Sequence, residues 1–188
     1  MKDLLIFWIP GAGKWTQASL LTKKFGWIYA HLSTWDIFRA LTWKPNAIWD
    51  YVVDRMNSWK LIDDQVTIAL FNAYFYAVLD DEKHMLLDGY PRTVIQLESF
   101  LALAKKHNRE LLWIYYTLSD EEALKRLIGR WREWETADML QIRLQEYYIK
   151  TKPIIDLFAK HELLVSIDAQ WTIGEIHEQT IKIIEQYQ

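Results

Sequence analysis

Gly11, Gly13 and Lys14 sit in the stretch IFWIPGAGKWTQ, directly after the apolar run Leu4 to Phe7, with Thr16 two residues further on. Glycines that leave backbone N–H groups bare ahead of a helix can cradle phosphate oxygens, and a lysine at the helix start adds a point charge. The first glycine of the G-x-x-x-x-G-K-[ST] pattern is missing, because Trp8 stands in its place. A tight strand-to-helix turn with a surface lysine is the competing reading. A second stretch, MLLDGYPRTVIQ, puts Asp88 at the end of a buried strand, with a glycine turn and Arg92 behind it. An acid there can organise the water shell of Mg²⁺, and the arginine can pair bidentately with a phosphate. In LSTWDIFR, the residues Thr34, Asp36 and Arg39 read by themselves as a helix N-cap with a solvated face. Arg126, Arg130, Arg132 and Arg143, around a polar loop, read alone as a charge run in water.

These residues need a scaffold. Leu4 to Phe7, a strand ending at His31 to Ser33, Met85 to Asp88, Leu111 to Thr117 and Leu163 to Asp168 are short apolar runs. Helical stretches alternate with them: Lys14 to Lys24, Gln65 to Leu79, Val94 to Lys106, Glu121 to Leu127, Ala137 to Phe158 and Ile173 to Tyr187. Strands apolar on both faces, separated by helices, imply an α/β fold with a five-stranded parallel sheet covered on both sides. Leu41 to Asp64 reads as a small helical excursion from the sheet, and Arg130 to Thr136 as a polar loop between helices. No internal repeat or low-complexity tract interrupts the chain.

The 188 residues, 51% of them hydrophobic, suffice for one domain with a sizeable core. A net charge of −3 argues against a general nucleic-acid binder. The lack of cysteine excludes disulfides and thiolate metal sites. No apolar run approaches the roughly 20 residues of a membrane span, and no basic-then-apolar signal opens the chain, so a cytoplasmic protein is expected.

Taken together, PGAGKWTQ, STWDIFRA, NSWKLIDDQV, LLDGYPRTVIQ, LIGRWR and IRLQEYYIKTKPIIDLF resemble the adenylate kinases, in that family's order and spacing over essentially the whole chain. The resemblance implies a P-loop kinase domain over 1–188, with a monophosphate-binding excursion at 34–64 and a short lid loop at 130–136. It implies that Gly11, Ala12, Gly13, Lys14, Trp15 and Thr16 meet the ATP phosphates. Arg130 would lie against ATP, and the backbone of Ile173 would meet its adenine. Thr34, Arg39, the Lys60, Leu61 and Ile62 segment, the Gly89, Tyr90 and Pro91 turn, Arg92 and Gln96 would hold AMP. Arg132 and Arg143 would close on the phosphates between the nucleotides, Lys14 would follow the transferred group, and Asp88 would organise Mg²⁺ through water. The implied partners are ATP, AMP and ADP, the implied state a monomer, and Thr34 with Gln96 favours AMP over UMP or CMP. A zinc-holding lid has no ligands here, and the five histidines, at His31, His84, His107, His161 and His177, show no metal-ligand spacing.

The departures from the family are almost all tryptophan. Trp8, Trp15, Trp35, Trp49 and Trp59 stand where the family has glycine, as does Trp171; Trp131 and Trp134 lie in a loop that often carries glycine, and Trp27, Trp43 and Trp113 have no clear counterpart. The chain holds 11 Trp beside 6 Gly, and their joint share is close to the usual glycine content of about 7%. Aromatic residues added to a core would replace Leu, Ile or Phe rather than glycine. The expectation is therefore a decoding difference: UGA is read as glycine in some bacterial lineages and as tryptophan in others. UGG codons at these positions would refute it. Non-glycine residues held in left-handed backbone would cost roughly 1–2 kcal/mol each, so weakened folding and activity are expected.

Overall fold

The computed structural model describes residues 1–42, 45, 48–58, 60–79, 83–129, 137–159 and 164–187. Five parallel strands form one sheet: β1 Asp3–Trp8, β2 Tyr29–Ser33, β3 His84–Asp88, β4 Leu111–Thr117 and β5 Leu164–Asp168, in the order β2-β3-β1-β4-β5. The central strands carry Leu4, Leu5, Leu86, Leu87 and Ile114, all at 2% exposure or less, as sheet strands covered on both faces must. Among the described residues nine α-helices connect and cover them. These are α1 Lys14–Phe25, α2 Thr34–Leu41, α3 Trp49–Asn57, α4 Asp64–Val78, α5 Val94–Lys106, α6 Asp120–Gly129, α7 Ala137–Glu146, α8 Lys152–Ala159 and α9 Ile173–Tyr187. Helices α1 and α9 pack on each other, while α4, α5 and α8 pack in a separate row.

From β1 the chain crosses to the edge strand β2, comes back to β3 beside β1, and then places β4 and β5 on the other side. Such a reversal leaves a crevice beyond the carboxyl ends of the strands, where α/β sheets bind ligands. The register aligns Ile6 with Asp88 and Asp88 with Ser33, so three strand ends meet at one place. Helices α2 and α3, within 34–64, share a small core separate from the main one, in which Phe38, Val52 and Ile62 pack with Tyr51, Met56 and Leu70.

The expected helix from Ala137 to Phe158 is divided. A π-helical turn, Tyr147–Thr151, separates α7 from α8, and the Lys152 N–H reaches back five residues to the Tyr147 carbonyl. Pro153 supplies the reason: it has no N–H to donate and its ring crowds the carbonyl four residues earlier, and a widened turn just ahead relieves both. The expected lid loop, and Leu163 at the expected start of β5, lie outside the described residues.

Among the described residues only Asn108 combines a side chain with positive φ, at 51°. Trp8, Trp15, Trp35, Trp49 and Trp171 therefore carry none of the left-handed strain expected of tryptophans at glycine sites, and Trp27 and Trp113 are likewise free of it. Trp8 ends a strand paired with Tyr116, and Trp15, Trp35 and Trp49 lie in helices, conformations that any L-residue adopts. Trp113 is a core residue at 1% exposure, stacked on Phe7 at 5.3 Å and Phe158 at 3.8 Å between ring centroids. Trp27, by contrast, is 79% exposed.

Candidate functional site

The loop between β1 and α1 turns on two left-handed glycines, Gly11 at φ 98° and Gly13 at φ 83°. A Cβ at Gly11 would lie 2.7 Å from the Ala123 carbonyl oxygen, so the loop presses against α6 with no room for a side chain. Gly13 caps α1 without a side-chain hydrogen bond, which leaves the positive end of the helix open toward the crevice. Lys14 Nζ lies 3.1 Å from Asp88 Oδ1, and His31 Nε2 lies 3.8 Å from Oδ2. Burial alone would push the Asp88 carboxyl up, but Lys14 and His31 outweigh it and hold it below its ordinary value. Lys14 is shifted down: burial dominates, Asp88 opposes it, and Arg92 and Arg143 add to it by repulsion. Three cations, Lys14, Arg92 and Arg143, thus line one cavity, with the buried Asp88 carboxylate paired to Lys14. Such an excess of positive charge in a partly dry crevice favours an anion.

The opposite wall is built around the Gly89 carbonyl. It accepts from Thr34 Oγ1 at 3.0 Å and from Arg92 Nε at 3.0 Å, which ties the start of α2 to the turn after β3. That turn includes the cis peptide Tyr90–Pro91. Gln96 accepts from the Arg92 N–H at 2.8 Å and donates to Asp64 Oδ1 at 2.8 Å, and Thr93 donates to the same oxygen at 2.9 Å. Asp64 thereby fixes the Gln96 amide. Arg39 pairs with Asp36. Across the crevice the Glu146 carboxylate accepts from Lys150 at 2.8 Å and, at 3.5 Å, from the Leu61 N–H, and Thr151 donates to the Arg92 carbonyl at 3.3 Å. The end of α7, through Glu146, thus touches the Leu61 segment, and the π-helical turn, through Thr151, touches the Arg92 turn.

Between these walls lies a cavity of about 470 Å³, the size range of small-molecule sites. Its lining brings together Gly11, Gly13, Lys14, Trp15, Thr34, Arg39, Lys60, Leu61, Ile62, Gly89, Tyr90, Pro91, Arg92, Gln96 and Arg143, all singled out from the sequence. Ala12 is buried behind the loop at 2% exposure, and Thr16, half-buried, does not line the cavity. Ile173 lies away from it, 56% exposed, with its carbonyl accepting from Gln17 Nε2 at 2.9 Å. Arg130 and Arg132 lie outside the described residues. Arg126 is held by Glu122 at 2.9 Å and by the Ala169 carbonyl at 2.8 Å, as part of the α6 packing.

Arg55, Glu146, Tyr147 and Thr151 also line the cavity and were not singled out as site residues from the sequence. Helical spacing places Arg143, Glu146 and Tyr147 on one face, and that periodicity was the available signal. His31, one of the histidines without metal-ligand spacing, sits on the edge strand β2 with its imidazole beside Asp88.

Among the described residues no cluster of three His, Asp or Glu could ligate a metal directly. Among the described residues Asp88 has no neighbour for its buried carboxylate beyond the ion-pair contacts of Lys14 and His31, and Ser33 Oγ is buried without a hydrogen-bond partner. Those atoms fit the outer shell of a hydrated Mg²⁺, which keeps several waters and takes few protein ligands.

Residues 6–163 match the family model "Adenylate kinase". The chain is 35% identical to an adenylate kinase of Prochlorococcus marinus (strain NATL1A), over 93% of this chain and 94% of that one. It is 34% identical to an adenylate kinase of Synechococcus sp. (strain CC9311), over 95% and 97%. A third, from Synechococcus sp. (strain CC9902), is 32% identical over 98% of this chain and all of its own length. The crevice, with its glycine loop, buried Asp88 and neighbouring cations, lies within that matched span, and the chain belongs to the adenylate kinase family.

Proposed function

We propose that the protein transfers the terminal phosphoryl group of Mg·ATP to AMP, giving two ADP, reversibly, as a cytoplasmic monomer in which residues 1–188 form one kinase domain. One observation carries the reading: Lys14, paired with the buried Asp88 carboxylate, lines one cavity with Arg92 and Arg143 beside an open helix N-terminus and a left-handed glycine loop. Phosphoryl transfer asks a protein for position, charge neutralisation and dryness rather than for a nucleophile, and this crevice supplies all three.

In this reading the Gly11–Lys14 backbone and the α1 N-terminus receive the donor phosphates, and Lys14 leaves Asp88 to follow the transferred group. Arg92, braced on Gly89, takes the acceptor phosphate, while Thr34 borders the acceptor site. Gln96, braced by Asp64, reads the base. Arg143, with Arg130 and Arg132 from the 130–136 loop, neutralises the charge between the nucleotides, and the 34–64 excursion closes on AMP. Asp88 and Ser33 hold the water shell of Mg²⁺, which when bound shields the donor phosphates. Ile173 would need its carbonyl released from Gln17 before serving the donor adenine. We expect slow turnover, since indoles stand on either side of the phosphate loop.

The test is ADP formation from Mg·ATP with AMP, UMP or CMP as acceptor. Turnover with AMP exceeding both pyrimidine monophosphates supports the assignment, and a preference for UMP or CMP overturns it. A second reading, a nucleotide-binding protein without turnover, is favoured by one contact: Lys14 Nζ stands 4.3 Å from the centre of the Trp8 ring. Binding of ATP without ADP formation would select it.

A further inference from the structure

Two of the cations that line the cavity rest on indoles. Besides the Trp8 contact at 4.3 Å, the Arg39 guanidinium carbon lies 5.6 Å from the centre of the Trp15 ring. Each cation also has a carboxylate, Asp88 for Lys14 and Asp36 for Arg39. Trp8 ends β1 and Trp15 opens α1, so the two rings flank one phosphate loop and line the same cavity. A cation over an indole face is attracted by the ring quadrupole, more strongly where water is thin. The Lys14 side chain is only 19% exposed, so its contact belongs to the stronger class.

Phosphate recognition needs these same groups to turn their N–H donors toward incoming oxygens. We propose that Trp8 and Trp15 are positioning residues that hold Lys14 and Arg39 in a phosphate-free resting arrangement, so that a nucleotide binds only by exchanging ring contacts for phosphate contacts. This rests on the function proposed above and assigns the effect of the tryptophans to the charge distribution of the ring rather than to its bulk. Trp8 then weakens binding of the triphosphate and Trp15 that of the monophosphate, while binding of the unphosphorylated nucleoside is left alone.

The experiment is calorimetric titration of ATP, AMP and adenosine into the full chain and into Trp8→Leu, Trp8→Phe, Trp8→Gly and Trp15→Leu, each checked for folding by thermal melting. Leucine keeps apolar bulk and removes the π face; phenylalanine keeps a weaker one. Trp8→Leu is expected to tighten ATP by about threefold to thirtyfold with adenosine unchanged, and Trp8→Phe to fall between. Trp15→Leu is expected to tighten AMP in the same way, and because Trp15 is 55% exposed that variant carries the test even where Trp8 variants fold poorly. ATP affinity improved in Trp8→Gly but not in Trp8→Leu would make bulk the cause and overturn the proposal. A parallel shift for adenosine and ATP would do the same by showing a general structural effect. Loss of ATP and AMP binding in every protein, the unsubstituted chain included, would instead overturn the nucleotide-kinase reading itself.

Discussion

Replacing Lys14 with methionine keeps most of the side-chain volume and removes the charge facing Asp88. The carboxylate has no exposure, and its ion pair spans 3.1 Å. At an effective dielectric near 20, a pair at that distance is worth about 5 kcal/mol of Coulomb attraction. Breaking a buried pair typically costs about 3–5 kcal/mol. Arg92 and Arg143 stay close and His31 remains 3.8 Å away, so the lower end, about 3 kcal/mol, is expected at pH 7. For a chain of this size that is a fall in Tm of roughly 6–12 °C. The pH dependence has a definite sign. In the native chain the Asp88 carboxyl sits below its ordinary value of 3.8, so its stabilisation is fully present above 3.8 and is lost as pH falls through the lowered value. In Lys14→Met the burial term dominates and pushes the carboxyl up, so the variant loses stability as pH rises above 3.8. The gap between the two proteins therefore opens from about pH 4 toward pH 7. Lys14 itself, shifted below 10.5, gives the native chain a further rise in stability as pH approaches 10.5 that the variant lacks. Urea melts of both proteins at several pH values read this directly. A constant gap between pH 4 and 7, or equal stability at pH 7, would refute the coupling.

Gly11→Ala places a Cβ 2.7 Å from the Ala123 carbonyl oxygen at φ 98° and is expected to cost at least about 1–2 kcal/mol and to weaken ATP binding, whereas Gly174→Ala, with open space around it, should be neutral in the same melts. Trp113→Ala empties a stacked core site and should cost about 3–5 kcal/mol, while Trp27→Gly, 79% exposed, should stay within about 0.5 kcal/mol; a reversed order would contradict the division into core and surface tryptophans. Asp64→Ala frees the Gln96 amide and the Thr93 hydroxyl, so steady-state kinetics should show KM for AMP raised about twofold to tenfold with KM for ATP unchanged; equal changes in both would remove Asp64 from base recognition.

Much of this was legible in the chain because each piece is local. Buried strands such as Met85 to Asp88 announce themselves as apolar runs, and the glycines of PGAGK fix the turn that places Lys14. The break in the apolar rhythm between Leu41 and Asp64 was legible, whereas the small core that Phe38, Val52 and Ile62 form between α2, α3 and α4 was not. What sequence withheld was relational. Nothing local says that Glu146 reaches the Leu61 N–H, 85 residues away, or that His31 meets Asp88. The π-helical turn was hidden in a continuous helical pattern, although Pro153 marked where the hydrogen-bond ladder must fail. The tryptophans were legible as misplaced but not in their effect. The expected left-handed strain is absent at the described ones, because a glycine occurring at a position does not show that the backbone there needs positive φ. Their effect at the site comes instead through cation–ring contacts.

The most direct measurement is coupled ATP and AMP turnover of this chain beside a version carrying glycine at Trp8, Trp15, Trp35, Trp49, Trp59, Trp131, Trp134 and Trp171, with the core residue Trp113 retained. Robust ADP formation by the glycine version and much slower formation by the native chain is the expected result. Equal rates would contradict an effect of the tryptophans on the site, and no turnover by the glycine version would contradict the kinase assignment.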